Sequence, residues 1–237
     1  MKQLLHNNCF LKEDERMPPK PKFDKDDILN AAFELARAGG PEAVKAREVG
    51  EKLGSSSRPI FTFFISMEEL QKCVMQKAWI LFEEYLSAAD EYVPAFKMRG
   101  IQLIRFAQNE PQLFRGLFMN GADETPFVDI MQYRLRSFTK DIAYIEQNYH
   151  ASYEQALHIF DCMWLQAFGI CSMIVNNRCT FTDAQISHLL GSGFAGQIML
   201  LRSGDTDYTK YVPVKKDSGE ASVLTGRLPQ PNDTAEK

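Results

Sequence analysis

The side chains best suited to chemistry lie close together between residues 45 and 62. Lys45, Arg47 and Arg58 supply cations, and Ser56, Ser57 and Thr62 supply hydroxyls. A guanidinium such as that of Arg58 can fork onto both acceptors of a guanine edge, while Pro59 and the Thr62 methyl can meet a thymine methyl. Lysines and serines beside such groups bond phosphate oxygens, which position a protein on a duplex without reading its sequence. The chemistry on offer is recognition of double-stranded DNA.

Other constellations offer less. His158 and Cys162 stand four apart, a spacing that puts both on one helix face, but no second pair completes a tetrahedral metal site. Gly191, Gly193 and Gly196 satisfy G-x-G-x-x-G, yet no strand precedes them and they fall inside a helical pattern. A dinucleotide site needs that strand and its turn, so the small residues are expected to admit a neighbouring helix, as at a subunit interface. Nothing in the sequence gathers a Ser/His/Asp or Cys/His set, and no catalytic residue, metal or cofactor is assigned.

The elements that must position the cations are legible in the stretch from Val44 to Leu70. A short amphipathic segment puts Val44, Val49 and Leu53 on one side and ends at Gly54, the residue type best able to take left-handed dihedrals. The serines that follow predict an N-cap for a second short helix, with Arg58 and Thr62 outward and Ile60, Phe61, Phe63 and Phe64 toward a core. Ser66 to Glu69 spells a capping box for a third, longer helix. Helix, glycine turn, short helix is the layout in which the second helix enters the major groove.

This stretch resembles the DNA-binding domain of the TetR family of bacterial transcription regulators. The likeness runs from Ile28 to Leu70: ILNAAFELARAGG as first helix, then Arg47-Glu-Val49, Lys52-Leu53-Gly54, Ile60 to Phe64, and Ser66 to Leu70. The resemblance implies a palindromic DNA operator and contacts from Lys45, Arg47, Ser56, Ser57, Arg58, Pro59, Phe61 and Thr62. It also implies a larger helical domain that encloses a small effector and dimerises through its last two helices, here about 152–177 and 182–201. Two recognition helices about 34 Å apart then meet successive major grooves. Three positions depart from the pattern: Ala46 stands where many relatives have Thr or Ser, Phe61 where they have Tyr, and Met67 where they have Lys. Each loses a polar group that bonds or pairs with phosphate, and the charged contact is the costliest loss.

Composition adds a counterweight. The net charge is −4, and residues 17–70 carry eight Lys and Arg against nine Asp and Glu, so only local charge placement favours DNA. Five cysteines without a C-x-x-C, and no apolar leader, read as reduced thiols in a cytoplasmic protein. The apolar run 156–175 contains His158, Asp161 and Gln166, and reads as a buried helix rather than a membrane span.

The periodicity predicts an all-α protein of about nine helices: an arm at 1–22 bearing Lys20 and Lys22, a helix-turn-helix domain at 23–66, a helical effector and dimerisation domain at 67–202, and a loose tail at 203–237. The first helix should bury Ile28, Ala31, Ala32 and Leu35. A long helix should run unbroken from Phe127 through Phe138 to Tyr149. Residues 152–177 show two apolar stripes, Leu157-Phe160-Trp164-Phe168-Cys171 and Ile159-Met163-Ile170-Ile174, one for the core and one for a second copy. Phe106, Phe118, Phe127, Met131, Trp164 and Phe168 are candidates for an apolar ligand pocket. Asp161, with His158, is the candidate for a polar or cationic group of the ligand, because a bare buried carboxylate is too costly. The function expected is a repressor released from DNA by a small apolar effector. The alternative is a helical ligand-binding or protein-interaction module whose DNA surface has weakened.

Overall fold

The computed structural model describes residues 22–119 and 138–204, and within them the chain is all-α, with nine α-helices and no strand. Residues 1–21 of the expected N-terminal arm, residues 205–237 of the expected tail, Phe127 and Met131 lie outside the described residues.

Helix α1 (Lys25–Gly39) opens on a reciprocal cap: the Asp24 carboxylate accepts from the Asp27 N–H at 2.7 Å, and the Asp27 carboxylate from the Asp24 N–H at 3.0 Å. Its inner face is Ile28, Ala31, Ala32, Phe33 and Ala36, with Leu35 only half-buried. Phe33 rather than Leu35 turns inward because α1 is packed by three later helices, which widens its apolar stripe on that side.

Helices α2 (Ala46–Lys52) and α3 (Ile60–Phe63) follow, and Gly54 turns the chain between them at φ +63°. The expected serine cap on α3 is absent. α3 opens after Pro59 with no side-chain cap, while Ser56 Oγ accepts from the Arg58 N–H at 3.4 Å and the Ser57 carbonyl from the Ile60 N–H at 3.2 Å. Ser56, Ser57, Arg58 and Pro59 therefore belong to the turn that enters α3, not to its first helical turn.

Gly50 gives the physical reason. A Cβ there would lie 2.9 Å from the Ser56 carbonyl carbon and 3.0 Å from the Ser57 nitrogen, so the serine backbone is pressed against α2. Gly50→Val is expected to cost about 1–3 kcal/mol in urea unfolding, the range for overfilling a packed site. Gly54→Asn should stay within about 1 kcal/mol, since nothing lies within 4 Å of that position and Asn tolerates left-handed dihedrals.

Helix α4 (Met67–Ser87) is capped by Ser66, whose Oγ accepts from the Glu69 N–H at 3.3 Å. The Glu69 carboxylate reaches back to the Ile65 N–H at 2.6 Å, one residue earlier than a capping box places it. A 3₁₀ turn, Ala88–Glu91, leads to α5 (Ala95–Asn109) and α6 (Pro111–Phe118). Helix α7 (Thr139–Tyr149) starts one residue after Phe138, whose φ of −112° and ψ of 23° lie outside the helix, so the unbroken helix expected through this point is not found. Helices α8 (Tyr153–Val175) and α9 (Asp183–Ser203) each open on a reciprocal cap, Ser152 with Gln155 and Thr182 with Gln185.

Helix α8 is the centre of the C-terminal bundle, packed by α5, α7 and α9 with α6 at its edge. It is the one helix among the described residues long and apolar enough to cross a membrane by length and composition. Its Ile159, Phe160, Ala167, Ile170 and Cys171 are buried among the neighbouring helices. One contiguous apolar core runs from Ile28 to Ile198. The N-terminal helices are tied into it by α1, which packs on α4 and α6, and by Arg37 of α1, whose Nε donates to Glu110 Oε2 at 2.8 Å. Glu110, at the α5–α6 junction, is 4% exposed and makes a second bond to Arg37 Nη2.

Candidate functional site

Two places stand out, one on the surface of α2 and α3 and one inside the C-terminal bundle. On the surface, Ile60 and Phe64 seal the core at 0% and 1% exposure, and Phe61 and Thr62 between them face outward. Phe61 is 52% exposed, against the expectation that it turns to the core, and Thr62 and Arg58 are also exposed. A helix of four residues has room for one inward side, and Ile60 with Phe64, four apart, occupy it. Phe63 is half-buried.

Lys45, Arg47 and Ser56 are exposed beside them, and Ser57 and Pro59 are half-buried. Arg47 Nε donates to Glu51 Oε1 at 2.8 Å, which raises the guanidinium's already high pKa. No ion pair holds Arg58 among the described residues, and its side chain is the unmatched cation at the entry to α3. Just after α3, Ile65 is 94% exposed.

The interior site is a cavity of about 220 Å³ between α5, α7, α8 and α9. Phe96, Phe138, Tyr149, Phe160, Trp164 and Phe194 supply its aromatic wall. Phe138 packs at 5.1 Å from Trp164 and 5.4 Å from Phe160, and Phe194 at 4.9 Å from Phe96 and 5.2 Å from Tyr149, all in the tilted or edge-on arrangements that aromatic quadrupoles favour. Two cations line it, Lys97 and Arg99, and among the described residues no carboxylate does.

Arg99 is fully engaged behind the wall. Its Nε donates to Asp141 Oδ2 at 2.6 Å, its Nη2 to Asp141 Oδ1 at 3.2 Å and to Asp90 Oδ1 at 2.8 Å, and its Nη1 to the Leu86 carbonyl at 3.3 Å. One guanidinium thus joins α5 to α7 and to the last turn of α4. Burial pushes the Asp141 carboxyl above the usual carboxylate range, against the pull of Arg99. Lys97 differs: its side chain is exposed and makes no ion pair among the described residues. Its Nζ lies 4.0 Å from where a Gly191 Cβ would stand.

Of the described pocket candidates read from the sequence, only Trp164 lines this cavity. Phe106 is wholly buried among Phe82, Tyr85 and Phe114, with ring centroids 5.2, 5.4 and 6.4 Å away, and is ordinary core. Phe118 and Phe168 join the same cluster, 6.0 Å apart. Asp161 is half-buried and does not line the cavity, because Phe160 and Trp164 share the inner face of α8 and the intervening residue is carried around the helix. His158 is exposed, with Nε2 3.6 Å from Cys162 Sγ. Burial pushes that thiol up, away from the thiolate a nucleophile or metal ligand needs. No group of three or more His, Cys, Asp or Glu gathers into a metal site among the described residues.

Lys97, Arg99, Phe96, Tyr149 and Phe194 were missed by sequence reasoning. One signal pointed to them: two cations, Lys97 and Arg99, sit two apart near the start of an amphipathic helix. The glycine motif on α9 also receives a new reading. Gly191 borders the cavity, and Gly193 makes room for the Gln166 side chain of α8 in the same chain, rather than for a second subunit.

The two stripes of α8 need a similar correction. Both turn mainly inward, and a third face is left open: Leu165 at 61% and Met173 at 46% exposure, with exposed Gly169 between them. On α9, Met199 is 72% exposed, beside exposed Ala195 and Gly196. Two helices of one bundle thus present apolar and small residues to solvent. Compared with known proteins, the sequence matches no family model and no curated protein.

Proposed function

We propose that this protein is a DNA-binding transcription regulator of the TetR type, acting as a homodimer whose grip on a palindromic operator is released by a small apolar effector in the cavity. The observation that carries the reading is the outward presentation of Arg58, Phe61 and Thr62 at a helix-turn-helix whose other side is sealed by Ile60 and Phe64. Arg47 and Lys45 flank that surface and supply phosphate contacts. The open face of α8 and α9 is the expected seat of the second copy, and a twofold axis there presents two α3 helices to one side of a duplex.

Release follows from the wiring of α4. This helix is 21 residues long, about 32 Å at the usual rise, with Ser66 at its DNA-side end and Leu86 held by Arg99 at the other. Filling the cavity shifts α5 and Arg99, and α4 carries the displacement to α3 as a change in the population of DNA-competent dimers.

The test is binding to DNA from the region upstream of the protein's own coding sequence, followed by fluorescence anisotropy at rising salt. A regulator gives a steep fall of affinity with salt. Arg58→Ala is expected to weaken binding by about tenfold or more and to relax the preference for one base. Salt-insensitive or absent binding removes the reading. One observation favours a second: Phe61 and Ile65, large apolar side chains in and just after α3, are left exposed, as a protein-docking module would have them. Absence of DNA binding by a folded dimer would support that module.

A further inference from the structure

We infer that the ligand of the cavity is an aromatic carboxylate of one or two rings, seated among the aromatic wall with its carboxylate against Lys97. This rests on the reading of the cavity as an effector site and adds the chemical class of the effector. The volume of about 220 Å³ falls below the roughly 300–1,000 Å³ of pockets for drug-sized ligands, so the occupant is small. The rings of Phe96, Phe138, Phe160, Trp164 and Phe194 offer flat faces and edges, which suit a planar body.

Charge selects the rest. An all-aromatic box is also what a quaternary or primary ammonium seeks, and a cation would then be held by the ring faces. Here the lining contains Lys97 and Arg99 and, among the described residues, no carboxylate, so a cation would enter beside the unpaired ammonium of Lys97. The Arg99 charge is matched by Asp141 and Asp90. That of Lys97 is not, and the absent side chain at Gly191 leaves space directly beside its ammonium. Tyr149, whose ring packs against Phe194, also lines the cavity.

The experiment is calorimetric titration of the full chain with phenylacetate and naphthylacetate, with phenylacetamide as neutral isostere and phenethylammonium as cation. The carboxylates should bind at least about tenfold more tightly than the amide, the margin of a charge-assisted bond over a neutral one. Lys97→Met should erase that margin and leave the amide unchanged, and Lys97→Arg should keep it. Lys97 is exposed, so these variants fold. Gly191→Leu should block every probe. The inference is overturned if the amide or the ammonium binds as well as the carboxylates, if the margin survives Lys97→Met, if binding survives Gly191→Leu, or if no probe binds. A protein that binds the carboxylates but no upstream DNA defeats the regulator reading and leaves this one standing. One that binds DNA but no aryl carboxylate defeats this one alone.

Discussion

Replacing Arg99 by methionine lowers the unfolding free energy by about 3–5 kcal/mol at neutral pH, the cost of leaving one member of a buried ion pair alone. The side chains of Arg99 and Asp141 are 13% and 4% exposed, so water cannot take the place of the lost partner. Asp90, 59% exposed, is the solvated third member, and Asp90→Asn is expected to change stability by less than about 1 kcal/mol. The Arg99→Met loss depends on pH. Burial already holds Asp141 above the usual carboxylate range, and without the guanidinium it rises further. In the variant the folded state keeps a proton that the unfolded state has released, so its stability relative to the parent falls as pH rises through the window above the ordinary carboxylate value. Urea unfolding between about pH 4 and pH 8 checks the sign: a loss that is constant, or that grows toward acid, contradicts the buried-pair description.

Phe106→Ala is the second large effect, expected to cost about 3–5 kcal/mol, as truncation of a buried aromatic does. Phe106 has no exposed surface and touches rings from α4 and α6, so its removal opens a void that the tightly packed neighbours cannot close. The same variant should leave the preference for phenylacetate over phenylacetamide unchanged, because Phe106 does not border the cavity. Urea unfolding and the titration above, done on one preparation, separate the two roles. A changed preference would place Phe106 in the ligand site after all.

The two substitutions differ in how visible their residues are along the chain. Phe106 is one of many apolar residues at helical spacing, and nothing local distinguishes a ring that lines a void from one that fills it. Arg99 is a charged residue on an amphipathic helix, which reads as solvated until Asp141 arrives from α7 and Leu86 from the end of α4. The same holds for Asp161: the sequence shows a carboxylate among aromatics, and only the phase of α8 against its neighbours shows that it turns away from the cavity.

The amino-acid sequence by itself determined what short-range physics controls. The helical periodicity, the cap at Ser66, the glycine turn at Gly54 and the all-α class depend on residues a few positions apart, whose hydrogen bonds and dihedrals form within one turn. Tertiary structure alone decided the rest: the pressing of Gly50 on the serine turn, the break at Phe138, the inward aim of both α8 stripes, and a cavity assembled from four helices that span residues 94 to 194. Those features depend on which faces meet, and a face is chosen by summed burial over the whole core rather than by any neighbour in the chain.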